Sequence, residues 1–96
     1  MASDVVQHDT AGSRYVLLRD GRQIGETVYE TGADGTIDFV HTQVDTSLQE
    51  HGLGSQLVRA ALDDVRGMSS ARVTASCPFV SAFLREHPAY QALTAR

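Results

Sequence analysis

The sequence has no lysine and no tryptophan, a single cysteine (Cys77), and no hydrophobic run long enough to cross a bilayer. Each scarcity closes off a class of protein. One cysteine builds no internal disulfide framework, so cysteine usage gives no sign of secretion. The apolar stretches fall far short of the roughly 18 to 20 residues that a spanning helix needs, so no membrane association is expected. The opening Met1-Ala2-Ser3-Asp4 lacks a basic region followed by an apolar run, so no signal peptide is expected and the cytoplasm is the default compartment. With lysine absent, all eight basic residues are arginines, dispersed among 12 acidic residues for a net charge of -4. No basic stripe tracks a nucleic-acid backbone. His8, His41, His51 and His87 lack paired ligand spacing and Cys77 has no CxxC partner, so no metal site is expected.

What is present is an ordinary globular balance, 42% hydrophobic and 21% charged over 96 residues, enough for one domain. A chain this short buries only about two-thirds of its unfolded surface, so a ligand or a partner subunit would add useful stability. Residues 1–12 are polar and end near a glycine; they read as a flexible N-terminal lead-in to a single domain over residues 13–96.

Arg14-Tyr15-Val16-Leu17-Leu18-Arg19 and Gln23-Ile24-Gly25-Glu26-Thr27-Val28-Tyr29 are rich in strand formers, and Asp20-Gly21 between them signals a tight hairpin. A turn over residues 32–35 leads to a third strand over residues 36–44, whose partial alternation puts Ile37, Phe39 and His41 on one face. Three antiparallel strands in a meander are the economical reading. A polar loop then precedes a helix starting near Gly52. Leu53, Leu57, Ala61 and Val65 recur every four residues, with Val58 and Leu62 widening the stripe, and Gly67 is the expected C-cap. Residues 71–76 form a short strand, so strand, helix and strand imply a crossover and a local parallel pairing. Pro78 suits the first position of a second helix, which His87-Pro88 ends. The fold class is α/β (α+β): an antiparallel meander, a βαβ unit and C-terminal helices.

The chemistry concentrates where the third strand hands over to the helix. Gly52 and Gly54 lack Cβ atoms, so backbone there can approach a ligand closely. The first N–H groups of a helix have no internal partners and its dipole favours an anion. The amides of Gly52, Leu53, Gly54 and Ser55, with the Ser55 hydroxyl, are candidate phosphate or pyrophosphate donors. A P-loop is excluded by the missing Gly-Lys-Ser/Thr, and a full GxGxxG is absent. On the residues alone the glycines serve either an anion or the packing of the helix start.

Gln49-x-x-Gly52-x-Gly54 resembles the pyrophosphate loop of GNAT acetyltransferases, and Val44 precedes it at a suitable distance. Cys77-Pro78-Phe79-Val80 followed by Arg85-x-His87-Pro88-x-Tyr90 resembles the small single-domain GNAT-like subfamily; the resemblance covers residues 15–93. It implies an acetyl-CoA-dependent N-acyltransferase acting on an amine acceptor, with coenzyme A as the carrier and no metal. The resemblance puts the pyrophosphate on residues 49–55, Gln49 and His51 included. It opens a cleft for the pantetheine arm between residues 41–44 and 73–76, and turns a backbone N–H near Val44 toward the thioester carbonyl as an oxyanion donor. Larger members carry helices between their first two strands. Here Asp20-Gly21 joins them tightly, so the acceptor side is expected to be open or completed by another protein.

Two side chains are candidates for the chemistry. Cys77 ends a strand just before a proline-started helix, whose positive end favours a thiolate; it is an acyl-accepting nucleophile, an acid for the leaving CoA sulfur, or a small buried hydrophobe. His41 is a base for an ammonium acceptor near neutral pH, or a half-exposed strand histidine. Asp38 is a weaker base candidate or a solvent-facing carboxylate. Tyr90 approaches the pantetheine or the leaving sulfur, as a tyrosine does in some members of the GNAT family, or anchors the last turn to the core. Phe79 and Phe83 read as packing. The alternative to an enzyme is a non-catalytic CoA-binding or protein-interaction module. A monomer or weak homodimer is expected, since a thin core and an open sheet edge allow pairing.

Overall fold

The computed structural model describes residues 4–48 and 51–96. Five strands form one sheet in chain order: β1 (Asp4–Asp9), β2 (Arg14–Arg19), β3 (Arg22–Thr31), β4 (Ile37–Val44) and β5 (Val73–Ala75). The first four pair antiparallel and β5 runs parallel to β4. Helix α1 (Leu53–Met68) connects β4 to β5, and α2 (Pro78–Glu86) and α3 (Pro88–Gln91) follow. The expected α/β architecture is therefore present: a meander, a βαβ unit and terminal helices.

The Asp20-Gly21 hairpin forms with both residues at positive φ, 51° and 83°, as a two-residue turn with the twist of its flanking strands requires. Helix α1 buries Leu53, Leu57, Val58, Ala61, Leu62 and Val65, the stripe that its 3.6-residue period predicts. That stripe packs across β1 to β4. On the same side, α2 contributes Val80, Phe83 and Leu84 to one core with Leu17, Tyr29, Phe39, Val73 and Leu93. Tyr90 anchors the last turn as expected, its hydroxyl donating to Asp63 Oδ1 at 2.8 Å.

Two expectations are corrected. The segment read as a lead-in contains β1, in register with β2 from Asp4↔Arg19 to Asp9↔Arg14. What holds it is long-range. Arg19 Nε pairs with Asp4 at 2.7 Å, Val6 packs on the core, and His8 stacks on Tyr15 with ring centres 4.2 Å apart. His8 Nε2 also lies 2.7 Å from the Tyr29 hydroxyl, while Tyr15 donates to Asp64 Oδ2 at 2.6 Å. Burial, then the Asp64 carboxylate, pushes the Tyr15 phenol far up, so that it acts as a donor. Gly67 does not cap α1, which continues to Met68. No left-handed glycine is needed there, because the Arg96 guanidinium donates to the carbonyls of Arg66, Ser69 and Ala71.

Removing residues 1–9 is expected to lower the unfolding free energy by about 1–3 kcal/mol, from the half-buried Val6 together with the His8 contacts. Urea denaturation with an unchanged midpoint would restore the lead-in reading.

Candidate functional site

The site begins with an irregularity in β4. Val28 pairs with His41 and Tyr29 with Phe39, so Val40 is an extra residue, a β-bulge. Past a bulge the alternation of side chains changes phase. Phe39 faces the core at 1% exposure, and Thr42, opposite the fully buried Thr27, faces it too. His41 is exposed and turns to the opposite face, where Nε2 lies 3.3 Å from Gln43 Oε1. The expectation that Ile37, Phe39 and His41 share a face is therefore corrected at His41, and the cause is the bulge.

The second feature is the brevity of β5. Its parallel ladder with β4 covers only Ile37↔Val73, Asp38↔Thr74 and Phe39↔Ala75. The Cys77 N–H then donates to the Phe39 carbonyl at 2.9 Å, and the chain turns away into α2. β4 continues alone to Val44 on that side. The Asp45 N–H donates to the Ile24 carbonyl at 2.8 Å, so by alternation the Val44 N–H points away from β3, toward the unpaired side. Asp38 holds the point of parting. It accepts from Thr74 Oγ1 at 3.0 Å, from the Ser76 N–H at 2.9 Å and from Ser76 Oγ at 2.6 Å. The Ser76 hydroxyl first, then its N–H and Thr74, holds the Asp38 carboxyl below its ordinary value against the opposing effect of burial.

The start of α1 faces this unpaired edge. Gly52 is the N-cap in the left-handed region, φ 87°, with no side-chain cap bond, and its carbonyl accepts from the Gln56 N–H at 2.9 Å. A glycine is needed there for the conformation, not for space: a Cβ would meet nothing within 4 Å. At Gly54 the requirement is the reverse. A Cβ would come within 2.7 Å of the Phe79 ring, which lies across the first turn. A hollow of about 270 Å³ results, lined by Thr42 and Val44 of β4, His51 to Ser55 around the helix start, and Phe79. Phe79 is 43% exposed. It is a wall of this hollow, where sequence reading took it for packing. Gln49 lies outside the described residues.

A family model described as GCN5-related N-acetyl-transferase matches residues 14–93. The chain belongs to that family. No curated protein matches it. In this family member the expected loop residues Val44, His51, Gly52, Leu53, Gly54 and Ser55 line one hollow. Leu53 turns its side chain into the core, at 4% exposure.

Cys77 and His41 are not brought together. Cys77 is buried at the N-cap of α2, and its thiol donates to Thr42 Oγ1 at 3.5 Å; Thr42 in turn lies 2.9 Å from Thr27 Oγ1. Cys77 thus stands one contact behind the wall of the hollow, while His41 is on the far face of β4. Among the described residues no three His, Cys, Asp or Glu side chains gather as metal ligands. Sequence reading missed Thr42, because only the bulge turns it inward. It also took Asp38 for a solvated carboxylate, because its partners Thr74 and Ser76 lie 36 and 38 residues away.

Gly54→Ala tests the ring placement. Alanine improves helix propensity by about 1 kcal/mol, and the clash is with the far end of an exposed side chain that can rotate. Stability within about 1 kcal/mol of the parent is expected, with displaced NMR shifts of the Phe79 ring. A cost above about 3 kcal/mol would mean that the ring is fixed.

Asp38→Asn is expected to cost about 1–3 kcal/mol at neutral pH, since it removes charge-assisted hydrogen bonds at the parting of the strands. A carboxyl whose folded pKa is depressed stabilises above its unfolded pKa and loses that contribution as pH falls through the folded one. The gap between parent and variant should therefore close as pH drops below about 4. A gap that stays constant to pH 2 would remove the carboxylate from the account.

Proposed function

We propose that the chain is an acetyl-CoA-dependent N-acetyltransferase that passes an acetyl group to an amine. One observation carries the reading: the unpaired edge of β4 and the N-terminus of α1, which lacks a side-chain cap, open into the same hollow. The amides of Gly52, Leu53, Gly54 and Ser55 suit a pyrophosphate, because they are the unpaired donors at the positive end of a helix. His51 and the Ser55 hydroxyl stand at the rim of the same hollow, and Gln49 completes the loop in this reading. The pantetheine arm runs beside β4 against Phe79, and the Val44 N–H meets the thioester oxygen as negative charge develops on it.

The amine nitrogen attacks the carbonyl carbon, the C–N bond forms and the C–S bond breaks. His41 takes the amine proton on the open face of the sheet. The departing sulfur takes a proton from the Cys77 thiol by way of the Thr42 hydroxyl. The burial of Cys77 behind Thr42 favours this direct transfer over an acyl-cysteine. Asp20-Gly21 joins β2 to β3, so the expectation that it links the first two strands is corrected: β1 and β2 are joined by the short turn over residues 10–13. That tight turn favours a second reading, a CoA-binding module whose acceptor side another protein completes.

Calorimetry with acetyl-CoA, followed by transfer assays on an amine panel, separates the readings. Cys77→Ala is expected to leave acetyl-CoA affinity within about twofold and to slow transfer by about 10²-fold, the usual contribution of a positioned acid. Absence of acetyl-CoA binding sinks the assignment. Binding without turnover of any amine supports the module instead.

A further inference from the structure

The exposed side of α1 carries a second hollow, of about 450 Å³, lined by Gly52, Ser55, Gln56, Arg59, Ala60 and Asp63. The spacing of three and four residues makes these one stripe along the helix. Gly52 and Ser55 also line the hollow beside β4, so the two meet at the first turn of α1. A ligand whose anionic middle rests on that turn can therefore extend into both.

Arg59 stands over this outer hollow. Its Cζ is 5.6 Å from the centre of the Phe83 ring of α2, a cation–π contact that steadies the side chain. Arg14, Arg19, Arg22 and Arg66 each pair with an Asp or Glu. The Arg59 guanidinium has no carboxylate within 4.0 Å among the described residues. Asp63, the one acidic residue in the hollow, already holds Arg66 at 2.8 Å and the Tyr90 hydroxyl at 2.8 Å. Ser55 and Arg59 are four residues apart, about 6 Å along the axis. A phosphate next to a pyrophosphate seated on the first turn would therefore lie beside the Arg59 stem, one helical turn on.

We infer that Arg59 is the specificity residue for the 3′-phosphate of the acyl donor. This rests on the CoA reading of the first hollow and adds to it. The planar fork of a guanidinium matches the oxygens of a phosphate monoester. The site discriminates a 3′-phosphorylated adenine nucleotide from the same nucleotide without that group. Because Arg59 is exposed, the discrimination is sensitive to salt.

The test is calorimetric titration of the full chain with CoA and with dephospho-CoA, for the parent, Arg59→Ala and Arg59→Gln. The second variant removes the charge and keeps part of the stem over Phe83. The parent is expected to prefer CoA by about tenfold, with a smaller preference at high salt, and both variants by less than about twofold. Dephospho-CoA affinity should not change in either variant, a pattern that simple structural damage does not produce. If the variants keep the preference for CoA, or the parent has none, Arg59 is not the discriminating group. If the parent binds neither ligand, the CoA reading itself fails, and this inference with it.

Discussion

Phe39 is the last residue of β4 whose carbonyl has a backbone partner on the β5 side. That bond, from the Cys77 N–H at 2.9 Å, ends the parallel ladder and starts α2. The rest of the site depends on this early parting of two strands. A longer β5 would satisfy the edge of β4 through Val44 and leave no space between it and α1. The parting requires Cys77-Pro78 to leave the sheet after only three strand residues, and proline at the first helical position makes that exit inexpensive, since its missing N–H has no partner there in any case. Asp38 holds the junction by bonding the two residues, Thr74 and Ser76, that flank the end of the ladder.

The bulge at Val40 divides the work between the two faces of β4. Without it, His41 would point into the core beside Phe39, and Thr42 would face water. With it, Thr42 joins Thr27 and Cys77 in a line of hydroxyl and thiol groups inside, and His41 joins Gln43 outside. One extra residue therefore puts the Thr27–Thr42–Cys77 line and the His41 imidazole on opposite faces of the sheet.

The two loop glycines are there for different reasons. Gly52 supplies a left-handed φ at the N-cap, and no side chain closes the amides behind it. Gly54 supplies room for a ring from another helix. Motif reading treats both as places where backbone meets ligand. The geometry leaves the helix start open to the hollow and gives Gly54 a packing partner besides, which makes Phe79 a wall of that hollow. The same first turn lines both the hollow beside β4 and the outer hollow of α1, so the two meet there.

The local sequence by itself determined the strands β2 to β5, the hairpin turn, the buried stripe of α1, the proline start of α2 and the loop motif. Each depends on periodicity or on residues within a few positions of one another, and short-range sterics and hydrogen bonding decide such features. Only the tertiary structure decided the rest. β1 forms because Arg19, Tyr15 and Tyr29 are there to receive it; Asp4, Val6 and His8 alternate too weakly to declare a strand. Gly67 stays inside α1 because Arg96, 30 residues after Arg66, bonds the last carbonyls. The bulge at Val40 is a property of how β3 and β4 register, and the facing of His41 and Thr42 follows from it. Register, closure of distant pairs and the parting of strands depend on contacts whose partners are far apart in the chain, and no local pattern carries them.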